Sequence, residues 1–176
     1  NTESLGIIAF GADDIESAHA QVVRANVPAG VIASASRPIY YGARRGDALF
    51  TWFALSAEST PEALLCFVRN ERPHLIYQPE VQRHPNGART LESVIICSHE
   101  PEAVARRYSG YMASASFETL PHMFKCVLER GSIWIGTPSS IKATFGHVVD
   151  LPMCQAPIAI GFSVAPTQIY WLSATE

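Results

Sequence analysis

The turn His84-Pro85-Asn86-Gly87-Ala88 and the apolar run after it, residues 91–97 (LESVIIC), decide the fold of this chain. Pro85 fixes one backbone angle, and Asn86 and Gly87 both tolerate positive φ, so this stretch predicts a tight turn. The run that follows is typical of a strand, and Pro101 then predicts the first turn of a helix. Turn, strand and helix therefore follow one another directly.

The same order of strand and helix occurs once before. Residues 5–18 (LGIIAFGADDIESA) align without a gap with residues 91–104 (LESVIICSHEPEAV), at a spacing of 86 residues. The turn therefore lies at the joint between two copies of one unit. We expect a first module in residues 1–83 and a second in residues 84–150.

Each copy predicts a strand, a helix and three further strands. In the first, Ile15, Ala18 and Val22 follow the helical i, i+3, i+7 pattern, and Asp14 is a plausible N-cap. Aromatic and β-branched residues predict strands at residues 49–55 and 64–68. The second copy predicts a helix at 102–112, strands near 117–120, 123–128 and 133–135, and a short helix at 139–145 that ends at Gly146.

The C-terminal residues 151–176 contain another strand-like run, followed by Pro166 at a position typical of a helix start. This pattern predicts either the start of a further module or a C-terminal extension. The chain also begins with Asn1 rather than methionine, and we expect it to be a piece of a longer protein.

Composition narrows the function classes. Of the 176 residues, 48% are hydrophobic and 16% charged, and the net charge is −3 with no basic block, which argues against nucleic acid as a partner. The apolar runs have the length of strands, too short to span a membrane.

The four cysteines, Cys66, Cys97, Cys126 and Cys154, form no C-x-x-C pair. They favour buried reduced thiols and a cytoplasmic location, with a zinc site or a disulfide as alternatives.

Two tandem βαβββ units resemble the vicinal oxygen chelate (glyoxalase/bleomycin resistance/dioxygenase) superfamily. Ser36-Arg37-Pro38, Thr60-Pro61-Glu62 and residues 82–88 (QRHPNGA) are similar to the glyoxalase-like domain proteins of bacteria. The resemblance covers residues 5 to about 147. It implies an α+β fold in which tandem modules form a curved mixed sheet, with helices on the outer face and a ligand in the cup.

Metal-using members of that superfamily place a histidine or glutamate on the first and last strand of each unit. On the first strands, these positions hold Gly6 or Ile7, and Ser93. On the last strands, they hold Cys66 or Val68, and Trp134 or Gly136. None is a histidine or a carboxylate, so we expect no metal or other cofactor in this chain. The resemblance leaves a divalent metal open for the full-length protein.

Four residues are candidates for ligand binding. Arg37, held extended before Pro38, could pair with an anionic ligand, or it is a solvated edge charge. Trp52 and Phe67 could line a pocket, or they belong to the core. His84 could contact ligand or transfer a proton, or it only bonds a neighbouring group in its turn. We predict a pocket near Arg37, Trp52 and Phe67 that prefers an anionic or aromatic molecule.

Two function classes remain. In one, the full protein is an enzyme whose catalytic residues lie in a module outside this chain. In the other, the cup binds a small organic molecule without turning it over, as resistance or sequestration proteins do. A third alternative is a packing or dimerisation role, as a homodimer or against a missing module. No catalytic residue is assigned, and fold does not fix the choice.

Overall fold

The computed structural model describes the backbone of residues 6–112, 115–146, 156–164 and 168–173, and the side chains of residues 6–112 and 115–146. The elements of the first module are β1 (Ile7–Gly11), α1 (Ile15–Arg24), β2 (Ala33–Ile39), β3 (Gly46–Ala54) and β4 (Leu64–Asn70). A short helix, α2 (Pro73–Ile76), leads to the second module. Its elements are β5 (Ala88–Cys97), α3 (Pro101–Tyr111), β6 (Phe117–Leu120), β7 (Met123–Val127) and β8 (Ser132–Gly136). They are followed by α4 (Pro138–Phe145), β9 (Ala156–Val164) and β10 (Gln168–Ser173).

The two modules have the same strand order. Sheet 1 runs β1-β4-β3-β2, and sheet 2 contains β5-β8-β7-β6, extended beyond β5 by β9 and β10. In each module the first strand pairs with the last in parallel, and the remaining pairs are antiparallel. The α+β fold of tandem βαβββ modules is therefore confirmed. β1 and β5 occupy equivalent places, as the repeat predicts.

The helix boundaries follow from their caps. The Ser17 main-chain N–H donates to Asp14 Oδ1 at 2.9 Å and caps α1, as predicted. Thr137 caps α4 in the same way, and Gly146, with φ of +73°, ends that helix. Pro73 opens the single turn of α2.

One hydrophobic core joins the two modules. The sheet faces that carry α1 and α3 contribute to a single cluster of buried residues, so the helix layers of both modules are packed together. Its largest members are Ile15, Phe53, Leu65 and Phe67 from the first module, and Ile96, Tyr108, Tyr111, Ile133 and Ile135 from the second.

The opposite faces of the two sheets are covered differently. On sheet 2, Ile141 of α4 packs against Ile95, Cys97 and Met123. On sheet 1, Leu75 of α2 covers only the end formed by Ile39 and Ala48. The rest of that face carries Ile7, Trp52 and Leu64, which are 63%, 36% and 41% exposed, and the half-buried Cys66. We call these four residues the open face of sheet 1.

The C-terminal residues differ from one expectation. Residues 168–173 form strand β10, antiparallel to β9, so the helix expected after Pro166 is not there. Ile169, Tyr170 and Trp171 are strong β-formers, and the edge of β9 offers them a pairing partner. Among the described helices, none has the length and apolar content needed to cross a membrane.

Candidate functional site

A cavity of about 690 Å³ lies between the two modules. One wall is β1 and the residues just after it, and the other is the middle of β5 (residues 91–94) with the turn between β7 and β8. Side chains of α1 and the end of α3 close it further. Its volume is in the range of small-molecule sites, and we call it the inter-module cavity.

The β1 wall offers main-chain hydrogen-bonding groups. The Leu64 N–H donates to the Gly6 carbonyl and the Ala12 N–H to the Val68 carbonyl, both at 3.0 Å. Because successive residues of a strand direct these groups to opposite sides, Ile7, Ala9 and Gly11 direct theirs away from β4. Within the described residues, β4 is the only strand paired with β1. The outward groups therefore border the cavity.

The opposite wall carries a pair of hydroxyls. Ser93 Oγ lies 2.9 Å from Ser132 Oγ, and Trp134 Nε1–H donates to Ser132 Oγ at 3.0 Å. Ser93 is buried, and the two serines face each other in the parallel register of β5 and β8. The indole thus orients a part-buried hydroxyl pair that could hydrogen-bond a ligand.

An aromatic wall lines the cavity on the α1 face of sheet 1. The rings of Phe10 and Phe67 both line the cavity, with centroids 5.5 Å apart. Phe53 stacks on Phe67 from behind at 5.0 Å, with an interplanar angle of 10°. The apolar wall is therefore backed by the core and is rigid.

The charged residues that line the cavity are mostly acidic. They are Asp13, Glu92 and Glu129 against a single Arg130. Glu92 Oε1 accepts a hydrogen bond from the Thr90 hydroxyl at 2.6 Å, which orients that carboxylate. This balance favours a cationic ligand, in contrast to the anionic preference predicted from Arg37.

Gly131 shapes the turn at this wall. Its φ is +90°, and a Cβ there would lie 2.9 Å from the Glu92 carbonyl oxygen. A side chain at this position would meet both strain and backbone contact. The turn of residues 129–132 thus forms part of the cavity wall.

The structure does not bring all the predicted site residues together. Phe67 lies on the α1 face of sheet 1 and lines the cavity, whereas Trp52 lies on the open face. Arg37 shares the side of Trp52, with its guanidinium 5.9 Å from the Phe50 ring centroid. Arg37 lies four positions along β2 from Ala33, the partner of Trp52, a distance of about 13 Å along the strand.

His84 lies in its turn. Its Nδ1 is 2.6 Å from Asn86 Oδ1, which also accepts from the Ala88 N–H at 2.9 Å. Gly87 has the positive φ that the turn requires, at +79°. This geometry agrees with the turn interpretation of His84, and a ligand role for it stays a prediction.

The positions that correspond to the family's metal ligands do not fit a divalent ion. Ile7, Val68 and Gly136 have no donor side chain, and the Ser93 hydroxyl is hydrogen-bonded to Ser132. Burial raises the pKa of the Cys66 thiol, which disfavours the thiolate that a metal would need. Across residues 6–112 and 115–146, no three histidine, cysteine or acidic residues cluster as metal ligands would.

Sequence reasoning missed most of this cavity. The main-chain edge of β1 leaves no side-chain signature, and the walls come from residues far apart in the chain. Ser93 was considered only as a position lacking a metal ligand. A serine on both the first and last strand of the second module was the available signal.

Comparisons with known proteins agree with this architecture. A family model described as glyoxalase-like domain matches residues 1–112. The structure is similar to a hypothetical protein from Staphylococcus aureus, with a TM-score of 0.53 and 12% identity over 72% of this chain. The chain spans 50% of that protein's length.

A glyoxalase/bleomycin resistance protein/dioxygenase family enzyme from Burkholderia phytofirmans PsJN also matches, at 17% identity over 76% of this chain and 98% of its own. Its TM-score of 0.30 carries no argument about fold or function. No curated protein matches the chain.

Proposed function

The chain belongs to the glyoxalase-like domain family, whose model matches residues 1–112 of its 176, and from this premise we propose that it binds a small organic molecule in the inter-module cavity. The observation that carries the proposal is the composition of the walls. An aromatic wall, a part-buried hydroxyl pair and a row of main-chain groups belong to the residues that line a space of about 690 Å³. A few fixed polar groups in an otherwise apolar cavity are typical of ligand sites.

We propose binding rather than turnover as the contribution of this chain. The two serine hydroxyls of the cavity are hydrogen-bonded to each other. A serine nucleophile needs a base within hydrogen-bond reach. Among the described residues, the two hydroxyls contact each other, the Trp134 indole N–H and the Glu92 carbonyl, and no side chain that could take the proton. Catalysis by the whole protein, and any divalent metal, would then depend on residues outside this chain.

A substitution that fills the cavity tests the proposal. Ala18 of α1 lines the cavity and is half-buried, so Ala18→Leu should occupy part of the space. Ala20 in the same helix is exposed and does not line the cavity. Ala20→Leu is therefore the matched control.

The measurement is calorimetric titration of compounds selected by thermal shift from a library of small amines, acids and neutral aromatics. We expect Ala18→Leu to weaken binding at least tenfold and Ala20→Leu to leave it unchanged. Equal affinity in both variants would place the ligand elsewhere and contradict the proposal.

The open face of sheet 1 favours a second candidate, in which this surface binds an acidic aromatic molecule or packs against another module or a second copy. The supporting observation is that Ile7, Leu64 and Trp52 leave 63%, 41% and 36% of their surface exposed. Arg37→Ala should weaken binding of acidic aromatics several-fold with the melting temperature unchanged. Trp52→Ser should reduce self-association in sedimentation velocity. Unchanged affinity and a monomeric wild type would remove this candidate.

We also propose a cytoplasmic location. Cys66 and Cys126 are free thiols, and burial raises the pKa of both. Reduced, weakly reactive thiols are usual in cytosolic proteins. Fractionation of cells that express the tagged protein from its own gene would check it, and recovery outside the cytoplasm would contradict it.

A further inference from the structure

We propose that the ligand of the inter-module cavity is a short, extended, basic peptide that pairs through its main chain with the outer edge of β1. This inference rests on the proposed function, because it names the class of molecule that the cavity takes.

The second module shows what this edge can do. β5 is the equivalent of β1, and its edge away from β8 is covered by β9 in antiparallel register, from Ala88↔Val164 to Cys97↔Ala156. In the first module β4 takes the place of β8, and in the described chain the other edge of β1 has no strand. The repeated unit therefore presents an edge that accepts an antiparallel strand, and at β1 a cavity borders that edge.

β1 has none of the devices that usually block an edge strand. It contains no proline and no charged residue along Ile7–Gly11. Its outward groups on Ile7, Ala9 and Gly11 recur every two residues, about 6.6 Å apart, which is the spacing of the complementary groups on an added strand. Main-chain pairing of this kind is a common mode of peptide recognition.

The charges in the cavity select among peptides. Asp13 and Glu129 are exposed and outnumber Arg130, so lysine or arginine side chains on the peptide would be attracted. Phe10 and Phe67 offer an apolar surface to the side chains between them. The peptide that fits is thus extended, with alternating apolar and basic residues.

The test uses the capped peptide Val-Lys-Val-Lys-Val, titrated calorimetrically into the whole chain. Its matched probes are the glutamate version and a version with proline at the centre. Ala9→Pro removes one outward N–H without removing a donor to β4, whereas Ala9→Ser keeps that N–H. We expect the lysine peptide to bind, both matched probes to bind at least tenfold more weakly, and Ala9→Pro but not Ala9→Ser to lose binding by at least tenfold.

Amide hydrogen exchange of the wild type decides the question even where Ala9→Pro fails to fold. The peptide should slow exchange at Ile7, Ala9 and Gly11. Unchanged exchange at these amides would overturn the inference.

Three other outcomes also overturn the inference. Binding of a non-peptidic compound, blocked by Ala18→Leu, without binding of the peptide would overturn it and leave the proposed function standing. Binding of neither would overturn both. A wild-type dimer that becomes monomeric in Ala9→Pro would show that a second copy takes this edge.

Discussion

Arg107 of α3 donates to Glu62, whose side chain is only 2% exposed in the connection between β3 and β4, and this ion pair joins the two modules. The Arg107 side chain itself keeps 35% exposure. Glu62 Oε2 and Arg107 Nε have no hydrogen-bond partner among the described residues. The buried negative charge of Glu62 therefore has the Arg107 guanidinium as its counter-charge.

Removal of that partner should be costly. Arg107→Ala leaves a buried carboxylate without a counter-charge, and we expect it to lower the free energy of unfolding by about 3 kcal/mol. Arg106 is the matched control, because it pairs with Glu102 at 2.9 Å with both side chains more than 70% exposed. Arg106→Ala should cost less than about 0.5 kcal/mol. Urea unfolding measures both, and equal losses would show that the Glu62 pair adds nothing beyond a surface pair.

Removal of the hydroxyl from two neighbouring tyrosines should change the stability of the chain in opposite directions. The Tyr108 hydroxyl is buried without a hydrogen-bond partner among the described residues, and burial raises its pKa. The Tyr111 hydroxyl donates to the Ser59 carbonyl across the module boundary. We expect Tyr108→Phe to be neutral or to stabilise by up to about 1 kcal/mol, and Tyr111→Phe to destabilise by about 1 kcal/mol. Thermal unfolding would check the order, and the reverse order would contradict it.

The cap of α1 should make stability depend on pH. Hydrogen bonds from the Ser17 main-chain N–H and hydroxyl hold the pKa of Asp14 below its ordinary value. The pKa of Asp14 is therefore lower in the folded chain than in the unfolded chain, where it is about 4. The stabilisation that the Asp14 cap gives is complete above the unfolded pKa, and it is lost as pH falls through the folded pKa.

Asp14→Asn keeps a capping oxygen but cannot titrate, so its melting temperature should fall less than that of the wild type below about pH 4. Asp14→Ala should melt lower even at neutral pH. Parallel melting curves for the wild type and Asp14→Asn throughout the acid range would exclude the predicted linkage. Asp13→Asn is the control.

Metal content is a separate prediction. The positions equivalent to the family's ligands hold Ile7, Ser93 and Val68, so we expect no stoichiometric zinc, iron, nickel or manganese in this chain. Elemental analysis after dialysis is the measurement, repeated on the uninterrupted gene product. About one metal per chain would mean that histidines assigned to turns are ligands.

The sequence predicted local structure well because its signals are local. The Asp14 cap and the helical period placed α1, and the 86-residue repeat then placed the start of α3 at Pro101. It could not orient Trp52, because both alternations of that strand are apolar. In the structure Phe53 turns towards α1, where its ring meets His19 at 4.8 Å, and so Trp52 faces away.

The candidate site could not be predicted by the same reasoning. Its walls combine the main-chain edge of β1 with Ser93 and Ser132, which come together only when both modules are folded and packed. Of the four predicted ligand residues, the cavity includes Phe67 alone. Periodicity identifies which residues share a strand face, but not which faces of two modules enclose a space.

The common core of the two modules has a consequence for how the chain can be divided. The turn at His84 separates the copies in sequence, yet buried residues of both, such as Phe67 and Tyr108, belong to one cluster. A chain cut at the turn would turn half of that cluster towards water in each fragment. We therefore expect a single cooperative melting transition and no independently folding half. The repeat unit of the sequence is therefore smaller than the smallest part of the chain that can fold independently.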